Sequence, residues 1–259
     1  SAGWPLDNNT YGGSFVYHAE KNQIFLGYVI GLDYKNPYLS PFEEFQRFKT
    51  HPAIKKMLSG GKRVSYGARA LIEGGIQSLP QMYMPGALLI GCDAGTLNMP
   101  KIKGTHTAMK SGTIAAEAIN EFLADRVQDL SNYETLFKKS WAFNELQLAR
   151  NVKPFFTRFG TILGILFTGI DQFLFRGRLP FTLSHKHADH ETLESAKESK
   201  KINYPKPDGV ITFDRASSVY LSGTYHTENQ PVHLQLKDKE LPISYTLDKF
   251  DEPSQRYCP

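Results

Sequence analysis

The 259-residue sequence predicts a mixed fold of class α+β or α/β. Three observations carry that expectation. Two β-rich runs flank a polar pentapeptide near the start, a strand-like run passes through small residues into a helix near residue 100, and several helix starts are marked by Ser and Pro. At this length the chain can bury a real core, as one large or two ordinary domains.

In chain order, Ser14 to His18 and Ile24 to Ile30 read as strands of a hairpin around "AEKNQ". In "SPFEEFQRFKTHPAIKKMLSGG", Ser40 is a helix N-cap, Pro41 the first helical residue and Glu43 the third. The helix ends near Gly60 and Gly61, and Pro52 breaks it in two. "GKRVSYGARALIEGGIQSLP" reads as a strand, a Gly-rich turn and a further short element. "ALLIG" at 87 to 91 reads as a buried strand leading through "CDAG" to a helix from about Gly104 to Leu123. A capping box, Ser131 with Glu134, starts the helix "SNYETLFKKSWAFNELQLARNVK", which Pro154 ends. From residue 185 the polar run "SHKHADHETLESAKESKK" reads as an exposed linker, and short strands with turn signals follow.

The formal charge of +4 and a pI near 8.9 are diffuse, with Lys and Arg interleaved with Asp and Glu, so no nucleic-acid stripe is present. Two cysteines, Cys92 and Cys258, are too few for a disulfide framework and favour a reducing compartment. No secretory leader pattern opens the chain. Both ends read as cut, so a fragment of a longer protein is expected.

The most apolar stretch is "FFTRFGTILGILFTGIDQFLF" at 155 to 175. Its uncharged run from Phe159 to Ile170 is shorter than the roughly 20 residues a spanning helix needs, and Asp171 would need a partner inside a bilayer. A buried core helix is one reading. A monotopic element in the headgroup region is the other and the favoured one, with Phe, Leu and Ile toward acyl chains and Arg at both ends. Gly160, Gly164 and Gly169 point to a bent pair of short elements.

The segment "LLIGCDAG" followed by "NMPKIKGTHTAMKSGTIAAEAI" carries the chemistry. A helix N-terminus offers unpaired N–H groups and the positive end of the macrodipole, which suits a phosphate, a pyrimidine carbonyl or a reduced flavin. Asp93 is placed to accept from a sugar hydroxyl, and Gly91 and Gly95 allow close backbone approach. Lys103, Gly104, Thr105 and His106 form the helix start, and Asn98 could donate to a ring. The plain alternatives are a turn glycine, a packed histidine and a turn asparagine. No GxGxxG occurs in the chain.

The strings "TYGGSFVYH", "VIGLDYKNPYLSPFEEFQRFKTHP", "GGKRVSYGARALIEGG", "LLIGC", "MPKIKGTHTAMKSG", "YPKPDG", "SGTYH" and "QRYCP" together resemble the electron transfer flavoprotein–ubiquinone oxidoreductase family, in order and over essentially the whole chain. The resemblance implies a two-dinucleotide-binding-type FAD fold with an inserted β-sheet quinone-binding domain and the start of a C-terminal ferredoxin-like domain. It implies residues 1–85 in the ubiquinone-binding domain and 86–125 as the second FAD-binding segment. Residues 126–184 become a helical region with a monotopic membrane-surface segment, and 185–259 a linker and the start of the iron–sulfur domain. Implied cofactors are FAD and a [4Fe-4S] cluster, with ubiquinone as substrate, electron transfer flavoprotein as partner and an inner-membrane location, the bacterial cytoplasmic membrane favoured over the mitochondrial one.

By motif match, Tyr11, Gly12 and Gly13 fall at the quinone contacts. Asp93, Asn98, Lys103, Gly104 and Thr105 fall at the flavin, beside the close-approach glycines Gly91 and Gly95, and Cys258 at the first cluster ligand. Only one of four cluster cysteines is present, the family's GxGxxG is expected upstream, and Cys92 reads as a small buried residue. An FAD-dependent reductase of the geranylgeranyl reductase type and a cofactor-free membrane docking module are the alternatives.

Overall fold

Strands β1 (Gly12–Ala19) and β2 (Gln23–Ile30) pair antiparallel from Gly12↔Ile30 to Ala19↔Gln23. The hairpin forms where the sequence places it, and its turn is closed by Lys21 and Asn22 at φ 57° and 58°. The computed structural model describes residues 4–185, 187–232 and 234–257. The chain divides into two compact units, residues 1–69 with 187–259, and residues 70–186. Among the described residues the sheets are two small antiparallel pairs, so the mixed α/β class holds.

In the first unit, α1 (Pro41–Lys49) opens as expected: Ser40 Oγ accepts from Glu43 N at 3.4 Å and Pro41 occupies the first turn. Pro52 starts a separate helix, α2 (Pro52–Leu58). Tyr28 of β2 stacks on Phe48 of α1 with ring centroids 4.9 Å apart, and Leu6, Tyr34 and Leu39 form a small core with Ile30, Leu193 and Ile202. Glu44 is buried beneath α1; burial pushes its carboxyl up, while the Tyr204 hydroxyl at 2.8 Å and the Arg47 guanidinium at 2.9 Å pull it down. The stretch after residue 185 is largely exposed, yet it is tied down. Thr192 Oγ1 donates to Asp33 O, Glu194 N to Lys35 O, and Asn36 Nδ2 to Lys200 O.

Three strand expectations fail. Residues 61–73 and the segment after Tyr204 contain no strand among the described residues. Instead Asp214 caps the helix Arg215–Ser222 by accepting from Ser217 N at 2.8 Å, and Gly223 at φ 63° closes it. The run 87–91 keeps only two laddered residues: β3 (Tyr83–Met84) pairs with β4 (Ala87–Leu88), while Leu89 and Ile90 stay exposed. Beyond Leu89 N, which donates to Met82 O at 2.8 Å, the ladder stops because Ile90 is the N-cap of the helical turn Gly91–Ala94.

The second unit is organised by α4 (Thr105–Leu123), which follows the single turn α3 (Gly91–Ala94). Thr107, Ser111, Ile114, Ala115 and Ala118 form its buried stripe at helical spacing. Ile114, Ala115 and Ala118 share a core with Met82, Ala94, Tyr133, Phe137 and Leu146.

The expected long helix from Ser131 is two, α5 (Asn132–Lys138) and α6 (Trp141–Leu148). The Ser131 capping box is absent, because Ser131 has helical φ and ψ; its own N–H goes to Asp129 Oδ1 at 2.8 Å, and Glu134 instead accepts from Met82 N at 2.8 Å. Ser140 caps α6 through Phe143 N at 3.3 Å. Pro154 ends nothing. It is the third residue of α7 (Val152–Gly169), where its missing N–H would have lacked an intrahelical partner.

Candidate functional site

The loop from α3 to α4 is built for close approach. Gly91 and Gly95 have φ of 60° and 85°, and added Cβ atoms would lie 3.2 Å from Ala108 Cβ and 3.0 Å from Ile72 Cγ2. Gly91 N donates to Ser111 Oγ at 2.9 Å, and Thr107 Oγ1 donates to Thr96 O at 2.6 Å, so two polar residues on the buried stripe of α4 fix the loop beside its own helix. Tyr133, fully buried, donates to Leu89 O at 3.0 Å, and burial pushes its phenol up to about 12.

Asp93, Lys103 and Thr105 are exposed around the start of α4. Among the described residues no side chain caps α4 at Gly104, and its first turn carries no acid. The donors and dipole end there fit an electron-rich ring or phosphate. Asn98, expected as a ring donor, already has partners for its side-chain amide. It is buried, bridged to Lys103 through both main-chain bonds, and its side-chain amide runs to Glu145 Oε1 at 2.8 Å and from Lys101 N to its Oδ1 at 3.1 Å. A cleft of about 590 Å³ in the same unit, lined by Leu79, Met82, Phe137, Phe143 and Gln147 among others, contains none of the predicted site residues.

In the first unit, Tyr11 O accepts from Gly31 N at 2.8 Å, and Gly12 begins the ladder with Gly13 next to it. A Cβ on Gly12 would lie 2.5 Å from both Val29 O and Leu6 Cδ1, so only glycine lets the strand enter at this depth. Tyr11, Gly12 and Gly13 are therefore contiguous and half-buried at one end of the hairpin. Cys258 lies outside the described residues. A [4Fe-4S] cluster takes four ligands and the chain has two cysteines, so these residues alone do not fit a cluster.

Residues 155 to 175 form the bent pair that their glycines suggest. Gly160 has φ 73° and ψ −177°, which breaks α7 into two helical arms, and Phe159 packs edge-on against Phe167 at 5.0 Å across the break. One side stays apolar and open, with Ile162 at 69%, Leu166 at 54%, Phe173 at 89% and Leu174 at 73% exposure. Within this chain the segment is therefore only partly buried. No described helix is long and apolar enough to cross a membrane.

A polar staple holds this face. Arg150 donates to the carbonyls of Gly177, Leu179 and Phe181 and to Thr182, and Asn151 clamps Phe181 O and Leu183 N. Asp171 is buried at the turn after α7. Arg150, Asn151, Ser111 and Glu145 were all missed by sequence reasoning, since their partners lie 20 to 47 positions away and no local spacing marks them.

Comparison with known proteins gives two family-model matches and a set of relatives. Residues 1–71 match the family model described as ETF-QO, ubiquinone-binding, and residues 209–259 match the one described as electron transfer flavoprotein-ubiquinone oxidoreductase, 4Fe-4S. Over its whole length the chain is 54% identical to the electron transfer flavoprotein-ubiquinone oxidoreductase of Pseudomonas aeruginosa, covering 48% of that protein. It is 53% identical to the mitochondrial protein of the same name from Sus scrofa and 49% to that of Oryza sativa, again over the whole chain, covering 44% and 45% of them. The chain thus spans about half the length of the curated relatives it matches.

Proposed function

We propose that the chain belongs to the electron transfer flavoprotein–ubiquinone oxidoreductase family and that it forms the quinone-facing and membrane-facing part, and one side of the flavin site, of such an enzyme. The whole protein would pass electrons from reduced electron transfer flavoprotein to ubiquinone through FAD and a [4Fe-4S] cluster. In this reading residues 1–85 belong to an inserted β-sheet quinone domain and 86–125 to the second segment of a two-dinucleotide-binding-type FAD fold. Residues 126–184 carry the membrane face, and 185–259 lead into a ferredoxin-like iron–sulfur domain in which Cys258 is the first cluster ligand.

FAD, when bound, supplies the two-electron redox chemistry; the protein supplies position and electrostatics. Gly91 and Gly95 let backbone approach the cofactor, Asp93 accepts from a sugar hydroxyl, Lys103, Gly104 and Thr105 present the helix start, and Asn98 holds that loop in shape. Tyr11, Gly12 and Gly13 offer hydrogen-bonding groups to a quinone oxygen. The open apolar face from Ile162 to Leu174 enters the headgroup region of a bacterial cytoplasmic or mitochondrial inner membrane, where a quinone's apolar tail resides.

One observation carries the flavin assignment: the exposed N-terminus of α4, with no side-chain cap among the described residues and no acid in its first turn. Thr105→Glu in the full-length protein tests it. An acid at the first helical position favours the helix through the dipole, so folding should hold or improve slightly. The same carboxylate repels an electron-rich ring. Loss of visible flavin absorbance with an unchanged or raised melting temperature is expected; full flavin content at an unaltered potential would overturn the assignment.

A further inference from the structure

Helix α6 and the loop ahead of α4 meet at one carboxylate. Glu145 Oε1 accepts from Asn98 Nδ2 at 2.8 Å and lies 2.6 Å from His106 Nε2, while Oε2 accepts from Lys101 Nζ at 2.7 Å. The His106 ring stacks on Trp141, one turn earlier on α6, with centroids 5.9 Å apart and planes 11° from parallel. Three donors within residues 98–106 therefore share a single acceptor from another helix. Ile102, inside that span, is 75% exposed at φ 52°. A β-branched residue holds that conformation only where its surroundings impose it. The bonds that impose it are the Asn98–Lys103 bridge and the Glu145 contacts on either side.

We propose that Glu145 is the positioning residue of this helix start: it fixes residues 98–106 in the arrangement that presents the α4 N-terminus, and its charge, opposed by Lys101, tunes the potential of the ring held there. The tuning half rests on the flavin assignment above, and the positioning half does not. A carboxylate near the ring disfavours the electron-rich reduced form, and an ammonium favours it. The two residues touch each other, so a loss of order would follow from removing either one. Their charges nevertheless pull the potential in opposite directions.

The test uses full-length protein with Glu145→Gln, Lys101→Met and His106→Phe, read by amide hydrogen exchange and by flavin midpoint potential. E145Q leaves the shape of the side chain but turns an amide donor toward donors, so exchange across 98–106 should quicken by about tenfold, the equivalent of one charge-assisted hydrogen bond. H106F keeps the stack on Trp141 and removes one donor; smaller quickening over the same span is expected, and it decides the positioning claim if E145Q does not fold. The potential should rise in E145Q and fall in K101M. Unchanged exchange in the variants overturns the positioning role, and shifts of the same sign, or none, overturn the tuning role. A colourless wild-type protein defeats the flavin assignment alone, and the exchange arm still decides whether Glu145 positions the loop.

Discussion

Asp171 lies at the turn after α7 with Oδ2 accepting from Gln172 Nε2 at 2.9 Å and Oδ1 buried without a partner among the described residues. Burial pushes its carboxyl up, while Gln172 and the Arg150 guanidinium pull it down less strongly. A raised native value means the folded state holds the proton more tightly, so Asp171 costs stability above that value and costs nothing below the unfolded one. Asp171→Asn in the full-length protein should gain on the order of 1 kcal/mol at neutral pH. The gain should vanish below about pH 4. Glu145 works with the opposite sign. Partial burial would raise its carboxyl, yet hydrogen bonds from Lys101, His106 and Asn98 hold it below the usual carboxylate range. Its contribution is present above the unfolded value and lost as pH falls through the native one, so Glu145→Gln should cost on the order of 1 kcal/mol at neutral pH and progressively less as pH falls below the unfolded carboxylate value of about 4. Thermal unfolding across that range separates them; variants that shift stability in the same direction would refute the pairing.

Element α7 shows how one residue sets the use of a whole helix. Gly160 at φ 73° and ψ −177° occupies a region that non-glycine residues almost never adopt, so Gly160→Ala should cost about 1–3 kcal/mol and splay the two arms. Thermal unfolding reads the cost. The apolar face has its own test: Ile162, Leu163 and Leu166 are all substantially exposed, so changing all three to Ser should leave unfolding of the full-length protein nearly unchanged while releasing it from anionic vesicles. Sedimentation with the vesicles as before would count against a membrane role. The bend was legible in the sequence from its glycines, as were Ser40 and the break at Pro52, because a helix closes its own hydrogen bonds and its ends are marked locally. The failures share a cause as well. "ALLIG" and "GKRVS" have strand-like composition, but a ladder depends on a partner that no local pattern reveals, and Ser131 takes helical φ and ψ with its N–H bonded to Asp129 Oδ1, so its side chain caps nothing.

Across the whole molecule, the candidate quinone and flavin sites fall on separate compact units, residues 1–69 with 187–259 and residues 70–186. Tyr11 to Gly13 were read from a long motif string, and Gly91 to Thr105 from a strand-to-helix pattern together with such strings. The supports that hold them, such as Tyr204 under α1 or Glu145 beside α4, were not legible, because each joins segments far apart in the chain. Separate cores imply separable lesions. Gly12→Val pushes a branched side chain against Val29 O and Leu6, where even a Cβ has only 2.5 Å, so it should disrupt the hairpin entry within the first unit. Gly91→Val forces a β-branched residue to φ 60° against Ala108 and should disrupt the α3 turn within the second. In the full-length protein, G12V should keep its flavin, and that flavin should still be reduced by the reduced partner flavoprotein, while ubiquinone reduction falls by at least about tenfold, as expected when an oriented contact is lost. G91V should lose flavin and both reactions together. If G12V instead purified without flavin, or if G91V kept full flavin and failed only with quinone, the assignment of the two sites to the two units would be reversed or wrong.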